Sequence, residues 1–470
     1  MKLTVLLLYI LIIYIIGAIS SKYTKTSSDY LLGSRKLNTI TTAFGVGASD
    51  MSGWLMMAVP GAFLMQGMVN IWIPIGLVIG AYANWNIVGK RLRSYTEKYG
   101  NALTIPWYLA NRFNDQTNTI RVATASILLI FFTVYSSTGL IACALIIQNE
   151  FALSYTNALW ISAAIIVIYT SIGGFIAVSW IDVFQGILML IAILIVPYVA
   201  LQNLGGMTEI SNVLSSNNIN YSDPFKDKTI LEIISMMSWG LGYFGQLHIL
   251  LRFMAAKSPE VIDKSQRICM PWMISSFAGA GALGLVGAAL FAKTPLDNPE
   301  TIFFKAADIL FPSWASGILL AAIFSAIMST ISAQLLASSS AITEDILLRF
   351  TNRISDKKRL LVNRMAVICI TIAAASIARN PESSILSLVA HAWAGLGASF
   401  GPVILLSLYW KKMTKLGAVS GILTGGITVL AWEGLQGYHP MFEIYEIIPA
   451  FFLSCLAIYV GSKVKKEALA

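Results

Sequence analysis

One carboxylate lies deep within an apolar stretch of the chain. Asp50 falls in the run Gly-Val-Gly-Ala-Ser-Asp-Met-Ser-Gly-Trp at residues 45–54. At the centre of a membrane helix an ionised aspartate costs at least ~2.5–3.5 kcal/mol, so it must be paired, protonated or functional. A cation pathway explains Asp50 best, because a carboxylate makes a site electronegative and unwound backbone carbonyls supply hard oxygen ligands. The alternative is a protonated or hydrogen-bonded structural aspartate; the nearest basic residues before it are Arg35 and Lys36.

A second group of oxygen atoms is expected farther along the chain. Ala326, Ser329 and Thr330 are spaced i, i+3 and i+4, which places them on one face of a helix. Two hydroxyl groups beside a carbonyl suit a small hard cation such as Na⁺. Alternatively, these side chains bond back to the carbonyls of their own helix. Asp182 starts another predicted helix and is interpreted either as its N-cap or as a residue of the inner cation exit.

The elements that hold these residues are predicted to be membrane helices. Of the 470 residues, 57% are hydrophobic and only 12% are charged, and the mean hydropathy is +0.73. Ordinary globular proteins carry about 25% charged residues. Apolar stretches of roughly 18 to 25 residues follow one another along the chain, and each is long enough to cross the ~30 Å hydrocarbon core. This composition excludes a soluble enzyme, a nucleic-acid-binding protein and a secreted disulfide-rich domain, and it predicts an all-α polytopic membrane protein.

The apolar stretches predict about thirteen transmembrane helices. Of the 32 lysine and arginine residues, 26 fall on alternate loops, which the positive-inside rule assigns to the cytoplasm. The N-terminus is therefore expected outside and the C-terminus in the cytoplasm. A cleaved signal peptide ending near Ser20 is the alternative interpretation of the first stretch. The predicted segments are residues 3–20, 39–66, 69–89, 122–148, 155–175, 183–203, 230–251, 270–292, 313–343, 362–378, 384–409, 416–432 and 444–462.

Two of these segments are interrupted by glycines. The second contains Gly45, Gly47 and Gly53, and the seventh contains Ser-Trp-Gly-Leu-Gly-Tyr-Phe-Gly-Gln at residues 238–246. Paired interruptions in two halves of a membrane protein indicate an inverted-repeat transporter with its site near the bilayer midplane. Broken backbone at that depth is tolerated only where it is buried or lines a cavity. The alternative is that the small residues let helices pack closely.

The chain resembles the sodium:solute symporter family over nearly its whole length, in particular the bacterial members that transport proline. The blocks that carry the resemblance are Gly-Ala-Ser-Asp-Met-Ser-Gly-Trp at 47–54, Gly-Gly-Phe-Ile-Ala-Val-Ser-Trp at 173–180, the glycine-rich run at 238–246 and Ser-Ser-Ala-Ile-Thr-Glu-Asp at 339–345. The resemblance implies a leucine-transporter-like core of five plus five helices in inverted repeats, with helices 2 and 7 broken. It divides a single transmembrane domain, residues 1–470, into a peripheral helix 1, a first repeat at 39–203, a second repeat at 230–409 and two additional helices at 416–462.

The resemblance also implies which residues form the sites. Na⁺ is expected among the carbonyls of Ala48, Met51 and Ala326 and the hydroxyls of Ser329 and Thr330, with Asp50 required for Na⁺ affinity. Coupling near the inner face is expected to involve Arg35 and Asp182. The residues expected to line the substrate cavity are Ser52, Gly53, Tyr135, Trp239, Tyr243 and Leu247.

The chain departs from the family pattern at two positions. Leu247 stands where the proline-transporting members have a proline, so the shape of the pocket and the local helix path are expected to differ. Ala333 lacks the hydroxyl that family members with an additional Na⁺ site carry, although Ser332 is present. One Na⁺ per transport cycle is therefore expected.

Together these expectations describe a secondary active symporter that imports L-proline with Na⁺ across the cytoplasmic membrane by alternating access. The alternatives are a Na⁺ symporter for another small solute, such as another amino acid, betaine or a short carboxylate, and a transporter-like solute sensor. An enzyme is not expected, because the sequence offers no nucleophile, acid–base pair or metal site suited to catalysis. Beyond solute, Na⁺ and the lipid bilayer, neither nucleic acid nor an obligate protein partner is expected.

Overall fold

The computed structural model describes residues 1–21, 27–216, 221–347 and 355–467. Four of the basic residues used for the topology, Lys22, Lys25, Arg349 and Arg353, lie outside these ranges. Apart from one isolated bridge, the regular structure of the described residues is helical. The helices are α1 (Lys2–Ser21), α2 (Ser27–Leu32), α3 (Thr39–Asp50), α4 (Val59–Gln66), α5 (Trp72–Ala83), α6 (Lys90–Lys98), α7 (Ile105–Arg112), α8 (Thr119–Phe151), α9 (Tyr155–Asn203), α10 (Met207–Ser216), α11 (Ile230–Met237), α12 (Leu247–Ala255), α13 (Pro259–Leu290), α14 (Ile302–Leu310), α15 (Ser313–Ser340), α16 (Asp356–Ile377), α17 (Ile385–Tyr409), α18 (Lys415–Glu433) and α19 (Ile447–Glu467).

Many of the described helices are long and apolar enough to cross a membrane. Ten meet this condition, and two shorter apolar helices lie at Tyr155–Ser171 and Ile230–Gly245. The all-α membrane fold is thus confirmed, whereas the number of thirteen spans stays a prediction. The degree of burial distinguishes central helices from peripheral ones. In Ser313–Ile346, 94% of an 18-residue apolar window is buried, whereas only 28% of such a window is buried in the first helix. The central helix α15 packs against α1, α3, α8 and α9.

The helix that carries Asp50 stops inside the bundle. α3 ends at Asp50, and Met51 leaves helical geometry at φ −86° and ψ 86°. The chain resumes with a wide turn at Trp54–Ala58 before α4. Because α3 ends there, its last carbonyl groups have no partners in the next turn of the same helix.

The glycine-rich run at 238–246 also interrupts a helix. Between α11 and α12 the chain forms a tight 3₁₀ segment at Ser238–Gly245, and Gln246 is extended at φ −76° and ψ 95°. Close approach explains one of the glycines: a Cβ atom on Gly242 would lie 1.9 Å from the indole nitrogen of Trp393. The glycines therefore permit both the interruption and the close packing that the sequence left as alternatives.

One helix start predicted from the sequence is wrong. The predicted segments 155–175 and 183–203 are two helices within α9 that meet at a kink at Gly174, where φ is 60° and ψ is −169°, so the second helix begins well before residue 183. The glycine adopts this conformation at no steric cost, so the kink sits there and helical geometry is already re-established at Asp182. Asp182 is therefore not an N-cap.

Backbone pairing joins the start of α3 to the end of α12. Leu37 donates its N–H to the carbonyl of Ala255 (3.2 Å) and accepts from the N–H of Lys257 (3.0 Å), which forms the isolated bridge to Ala256. The two interrupted helices are thus fastened to each other at one end of the bundle.

At the same end, a loop carboxylate anchors α8 and α18. Asp115 accepts hydrogen bonds from the N–H of Ile120 (2.8 Å) and the N–H of Thr117 (3.1 Å), and it pairs with Lys415 at the start of α18. Burial alone would raise the pKa of this carboxyl, but Lys415 and these donors together hold the pKa of Asp115 below its usual range.

We expect the stabilisation from Asp115 to depend on pH. Because its folded pKa is depressed, the stabilisation is complete above the unfolded pKa of about 3.9 and is lost as the pH falls through the folded pKa. Asp115→Asn should therefore lower the thermal unfolding midpoint at pH 7, and its difference from the wild type should shrink below about pH 4. The control is Asp263→Asn, whose half-exposed pair with Lys90 should have little effect. A difference that stays constant down to pH 3 would contradict the assignment.

Candidate functional site

Four oxygen atoms from α3 and α15 converge next to the end of α3. The hydroxyl of Ser329 donates to the carbonyl of Ala48 (2.6 Å) and approaches that of Ala326 (3.1 Å). The hydroxyl of Thr330 lies 3.4 Å from the carbonyl of Ala326 and 3.5 Å from that of Ala48. The Ala48 carbonyl is available because it belongs to the last turn of α3. Met51 is fully buried in the turn that follows, but no described contact fixes its carbonyl.

This set of atoms fits Na⁺ by its chemistry. Two carbonyl and two hydroxyl oxygens are hard, neutral ligands of the kind that small hard cations take, whereas transition metals favour imidazole and thiolate. Among the residues that the structure describes, no group of three or more His, Cys, Asp or Glu side chains is placed to hold a metal ion. The contacts also agree with the alternative drawn from the sequence, since both hydroxyls reach the carbonyl of Ala326 in their own helix.

Asp50 connects the two interrupted helices. Its side chain is 2% exposed, and one carboxylate oxygen accepts a hydrogen bond from the hydroxyl of Tyr243. Its other carboxylate oxygen is buried without a hydrogen-bond partner among the described residues, and its carbonyl accepts from the indole N–H of Trp54 (3.1 Å). The Asp50 carboxylate is therefore hydrogen-bonded to a tyrosine and does not pair with Arg35 or Lys36 among the described contacts.

The residues predicted for the substrate cavity are all buried. Tyr135, Tyr243 and Leu247 are at most 2% exposed, and Ser52, Gly53 and Trp239 are buried as well. The Tyr243 ring meets the Trp393 ring edge-on, with centroids 5.1 Å apart. The indole N–H of Trp393 donates to the carbonyl of Trp239 (2.7 Å). Trp393 was missed by the sequence analysis, because nothing in its local spacing reveals a contact 154 residues away.

Two cavities approach the second interruption from opposite ends. One, of about 260 Å³, reaches Trp239 and is lined by His391, Glu433, Tyr445 and Glu446. The other, of about 20 Å³, lies under His248 and Arg252 and is completed by residues of α15. The two cavities therefore border opposite ends of the segment from Trp239 to His248.

Asp182 forms a buried ion pair that the sequence analysis missed. Its carboxylate accepts from the guanidinium of Arg252 at 2.8 Å, and the two side chains are 0% and 1% exposed. Arg252 also donates to Ser179 (2.6 Å) and lies 4.5 Å from the ring centre of Phe175. The sequence placed Arg252 on a basic loop because it follows the end of an apolar stretch. The sequence did contain one signal for this ion pair: Asp182 lies beside an apolar stretch and has no lysine or arginine near it in the chain.

Arg35 lies where the two interrupted helices are fastened together. Its guanidinium donates to the hydroxyl of Thr96 (3.1 Å), the carbonyl of Ala102 (2.8 Å) and the carbonyl of Met254 (2.8 Å). The last of these belongs to the final turn of α12, where a cation is favourable. Arg35 is thus brought to the same end of α3 and α12 as the backbone bridge, and none of these three hydrogen bonds reaches Asp50.

We expect the Arg252–Asp182 pair to hold α12 against α9. Arg252→Met leaves a buried carboxylate without its cation, which should lower the free energy of unfolding by about 3–5 kcal/mol. Adding Asp182→Asn should restore much of that loss, because the uncompensated charge disappears. Unfolding in detergent measures both effects, with Lys90→Met in the half-exposed Lys90–Asp263 pair as the control, expected to change stability by less than about 1 kcal/mol. Equal small losses in all three variants would contradict the role.

The fold matches two symporters of known structure. A Na⁺-coupled sialic acid symporter in a substrate-bound, outward-open state aligns with a TM-score of 0.80 at 18% identity, covering 98% of both chains. Mhp1, a nucleobase-cation-symport-1 family transporter, in a closed conformation aligns with a TM-score of 0.61 at 14% identity, covering 94% of this chain and 96% of that one. At these identities the likeness establishes the fold.

Sequence relatives extend over almost the whole chain. The sodium/proline symporters of Salmonella typhimurium and Escherichia coli are each 44% identical, covering 98% and 97% of this chain and 93% and 92% of theirs. The high-affinity proline transporter PutP of Bacillus subtilis is 45% identical, covering 95% of both. Residues 30–425 match the model of the sodium:solute symporter family. This multi-pass membrane protein therefore belongs to the sodium:solute symporter family.

Proposed function

We propose that this protein is a secondary active transporter, not an enzyme, that imports L-proline together with Na⁺ across the cytoplasmic membrane. The relatives named as sodium/proline symporters match it over at least 97% of its length. The observation that carries the proposal is the convergence of the Ala48 and Ala326 carbonyls with the Ser329 and Thr330 hydroxyls, beside the buried Asp50. Neutral hard oxygens next to a carboxylate suit a monovalent alkali cation.

The proposed architecture follows the division inferred from the sequence. Residues 39–203 and 230–409 form two inverted repeats, residues 416–462 add two helices, and helix 1 is peripheral, with the N-terminus outside and the C-terminus in the cytoplasm. Two observations support it: α1 is the least buried of the long helices, and the interrupted helices meet through Asp50 and Tyr243. The alternation of basic residues along the loops supports the orientation.

In the proposed mechanism Na⁺ is bound between α3 and α15. The hydroxyl of Ser329, which donates to the Ala48 carbonyl, would turn a lone pair toward the ion, so that both helices contact the same cation. Asp50 favours the ion through its field, and its hydrogen bond from Tyr243 connects ion binding to the proposed substrate residues Ser52, Gly53, Tyr135, Trp239 and Leu247. Arg35 and Asp182, with their partners on α12, would control opening toward the inside.

The ion gradient is sufficient for the proposed work. One charge crossing 100 mV releases ~2.3 kcal/mol before the chemical gradient of Na⁺ is added. Since about 1.4 kcal/mol corresponds to tenfold, this sustains roughly fiftyfold accumulation of a neutral solute.

We expect proteoliposomes with this protein to accumulate labelled L-proline only when an inward Na⁺ gradient is imposed. Replacing Na⁺ by K⁺ should abolish accumulation, because the oxygen cluster is expected to select the smaller ion. Accumulation that persists without a Na⁺ gradient would exclude coupling to Na⁺, and its absence under all conditions would exclude proline.

We expect Na⁺ dependence to be lost selectively when the proposed ligands are changed. Thr330→Val keeps the shape of the side chain but removes the hydroxyl, and Asp50→Asn removes the charge. Each should raise the Na⁺ concentration for half-maximal uptake by about tenfold or more, corresponding to ~1.4 kcal/mol. Ser376→Ala on α16, whose hydroxyl only bonds back to Ile372, is the control and should leave this value unchanged. Normal Na⁺ dependence in Asp50→Asn would remove Asp50 from the mechanism.

A different small solute is the second candidate, and Leu247 is the observation that favours it. This residue is 1% exposed at the start of α12, within the proposed substrate region. A leucine side chain here reshapes the pocket relative to a proline. Competition of other amino acids, betaine and short carboxylates against labelled proline distinguishes the candidates, since a better ligand displaces proline at lower concentration.

A further inference from the structure

An imidazole lies between two carboxylates beside the cavity of about 260 Å³. The Nδ1 atom of His391 is 3.1 Å from a carboxylate oxygen of Glu446, and its Nε2 atom is 3.4 Å from one of Glu433. His391 belongs to α17, Glu433 is the last residue of α18, and Glu446 directly precedes α19. His391 and Glu446 are 9% and 5% exposed, so their contact is largely shielded from water. One side chain therefore joins α17 to the ends of two other helices.

With both carboxylates ionised, this arrangement is fully bonded only when the imidazole is protonated. The neutral ring has one N–H donor and the imidazolium has two, whereas ionised carboxylates only accept hydrogen bonds. When the ring is neutral, one of the two carboxylates therefore faces a nitrogen lone pair instead of a donor. Histidine is the side chain whose charge ordinarily changes between about pH 5 and 8. The contacts of His391 therefore depend on pH in that range.

The charged groups around His391 are otherwise acidic. Besides its two partners, the cavity is lined by Glu443, which accepts the N–H of Gly437 (3.0 Å), and no described lysine or arginine lines it. Tyr445 is the one further titratable group among the described lining residues. From α8 the uncharged ring of Phe131 packs on the imidazole, with centroids 5.7 Å apart. Among the described lining residues, His391 is thus the one that can supply a positive charge to these carboxylates.

The same contacts reach a residue of the proposed substrate cavity. Tyr445, next to Glu446 in the chain, stacks on Trp239 with ring centroids 5.4 Å apart and an interplanar angle of 27°. The hydroxyl of Tyr445 donates to the carbonyl of Ala390 (2.7 Å), which precedes His391. Two adjacent residues before α19 are therefore bonded to two adjacent residues of α17, and the Trp239 ring lies against the first of them.

We propose that His391, Glu433 and Glu446 form a pH-sensitive cluster, here called the His391 cluster, that positions Trp239 through Tyr445. This inference rests on the proposed function for the solute that Trp239 contacts. When the ring is protonated, α17, α18 and the start of α19 are joined and the Trp239–Tyr445 stack is held in place. When the ring is neutral, one carboxylate is released and the stack is less restrained. Substrate binding and protonation of His391 then favour each other, because coupling between two sites is reciprocal.

The first measurement is the thermal unfolding midpoint of the purified protein in detergent as a function of pH. The second bond of the His391 cluster should be present at about pH 5.5 and absent at about pH 8.5. The wild type should therefore have a higher midpoint than His391→Gln at the lower pH, and the difference should shrink at the higher pH. The matched control is His439→Asn, at an exposed histidine between α18 and α19. Asparagine can still cap Met441 there, so this variant should keep the wild-type profile.

The second measurement is the dissociation constant of L-proline, obtained by calorimetry in saturating Na⁺ at about pH 6 and about pH 8. In the wild type it should rise by about fivefold between these pH values, the lower end of the usual range for coupled sites. In His391→Gln it should be the same at both, whereas a merely structural role of His391 would weaken binding equally and leave the pH dependence in place. Glu433→Gln changes a side chain that is 57% exposed and removes one charge, so it should reduce the pH dependence. It carries the test if His391→Gln does not fold.

Three results would overturn the inference. One is a wild type without this pH dependence, and another is a wild-type pH profile that both His391→Gln and Glu433→Gln retain. The third is loss of the profile in His439→Asn, because the titrating group would then lie elsewhere. A wild type that binds no proline in Na⁺ refutes the proposed function instead, and the unfolding measurement still decides whether the His391 cluster responds to pH.

Discussion

A helix that ends inside a membrane protein leaves backbone groups that water cannot reach, and the organisation of this molecule follows from how those groups are used. α3 ends at Asp50 and presents carbonyls, whereas α12 begins at Leu247 and presents amides. The first end carries partial negative charge and the second partial positive charge. The two interrupted helices are joined here by the hydrogen bond that Tyr243, in the 3₁₀ segment before α12, donates to Asp50.

This arrangement explains why so many polar side chains are tolerated at the centre of an apolar bundle. Ser329 and Thr330 satisfy the carbonyl of Ala48, and Trp54 satisfies that of Asp50. Trp393 supports the 3₁₀ segment before α12 through the carbonyl of Trp239. Each of these contacts joins different turns of chain, which fixes the interruptions in position although they lack regular helical hydrogen bonds.

Features that depend on residues close together in the chain could be predicted from the sequence. Hydropathy gave the membrane fold and family resemblance gave the class, both of which are confirmed. The i, i+3, i+4 spacing of Ala326, Ser329 and Thr330 indicated one face of a helix, and the structure brings that face to Ala48. The functional roles of these residues stay predictions.

Features that depend on distant pairs were missed for a physical reason. Arg252 follows an apolar stretch, as the basic residues of loops do, and only its pairing with Asp182 across the bundle distinguishes it from them. Asp182 was placed at a helix start because the predicted segment began at residue 183, whereas the helix already resumes at the kink at Gly174. Trp393 reaches Trp239 from a different helix, and periodicity within either segment contains no information on that contact.

The bridge between Leu37 and Ala256 has a consequence for how the two interrupted helices can move. Paired hydrogen bonds to Ala255 and Lys257, reinforced by Arg35, tie the start of α3 to the end of α12. Separating the two segments would break all of these bonds together, at a cost of about 0.5–1.5 kcal/mol for each. A displacement of either segment at this end is therefore expected to carry the other with it, so that the two shift as a single rigid unit.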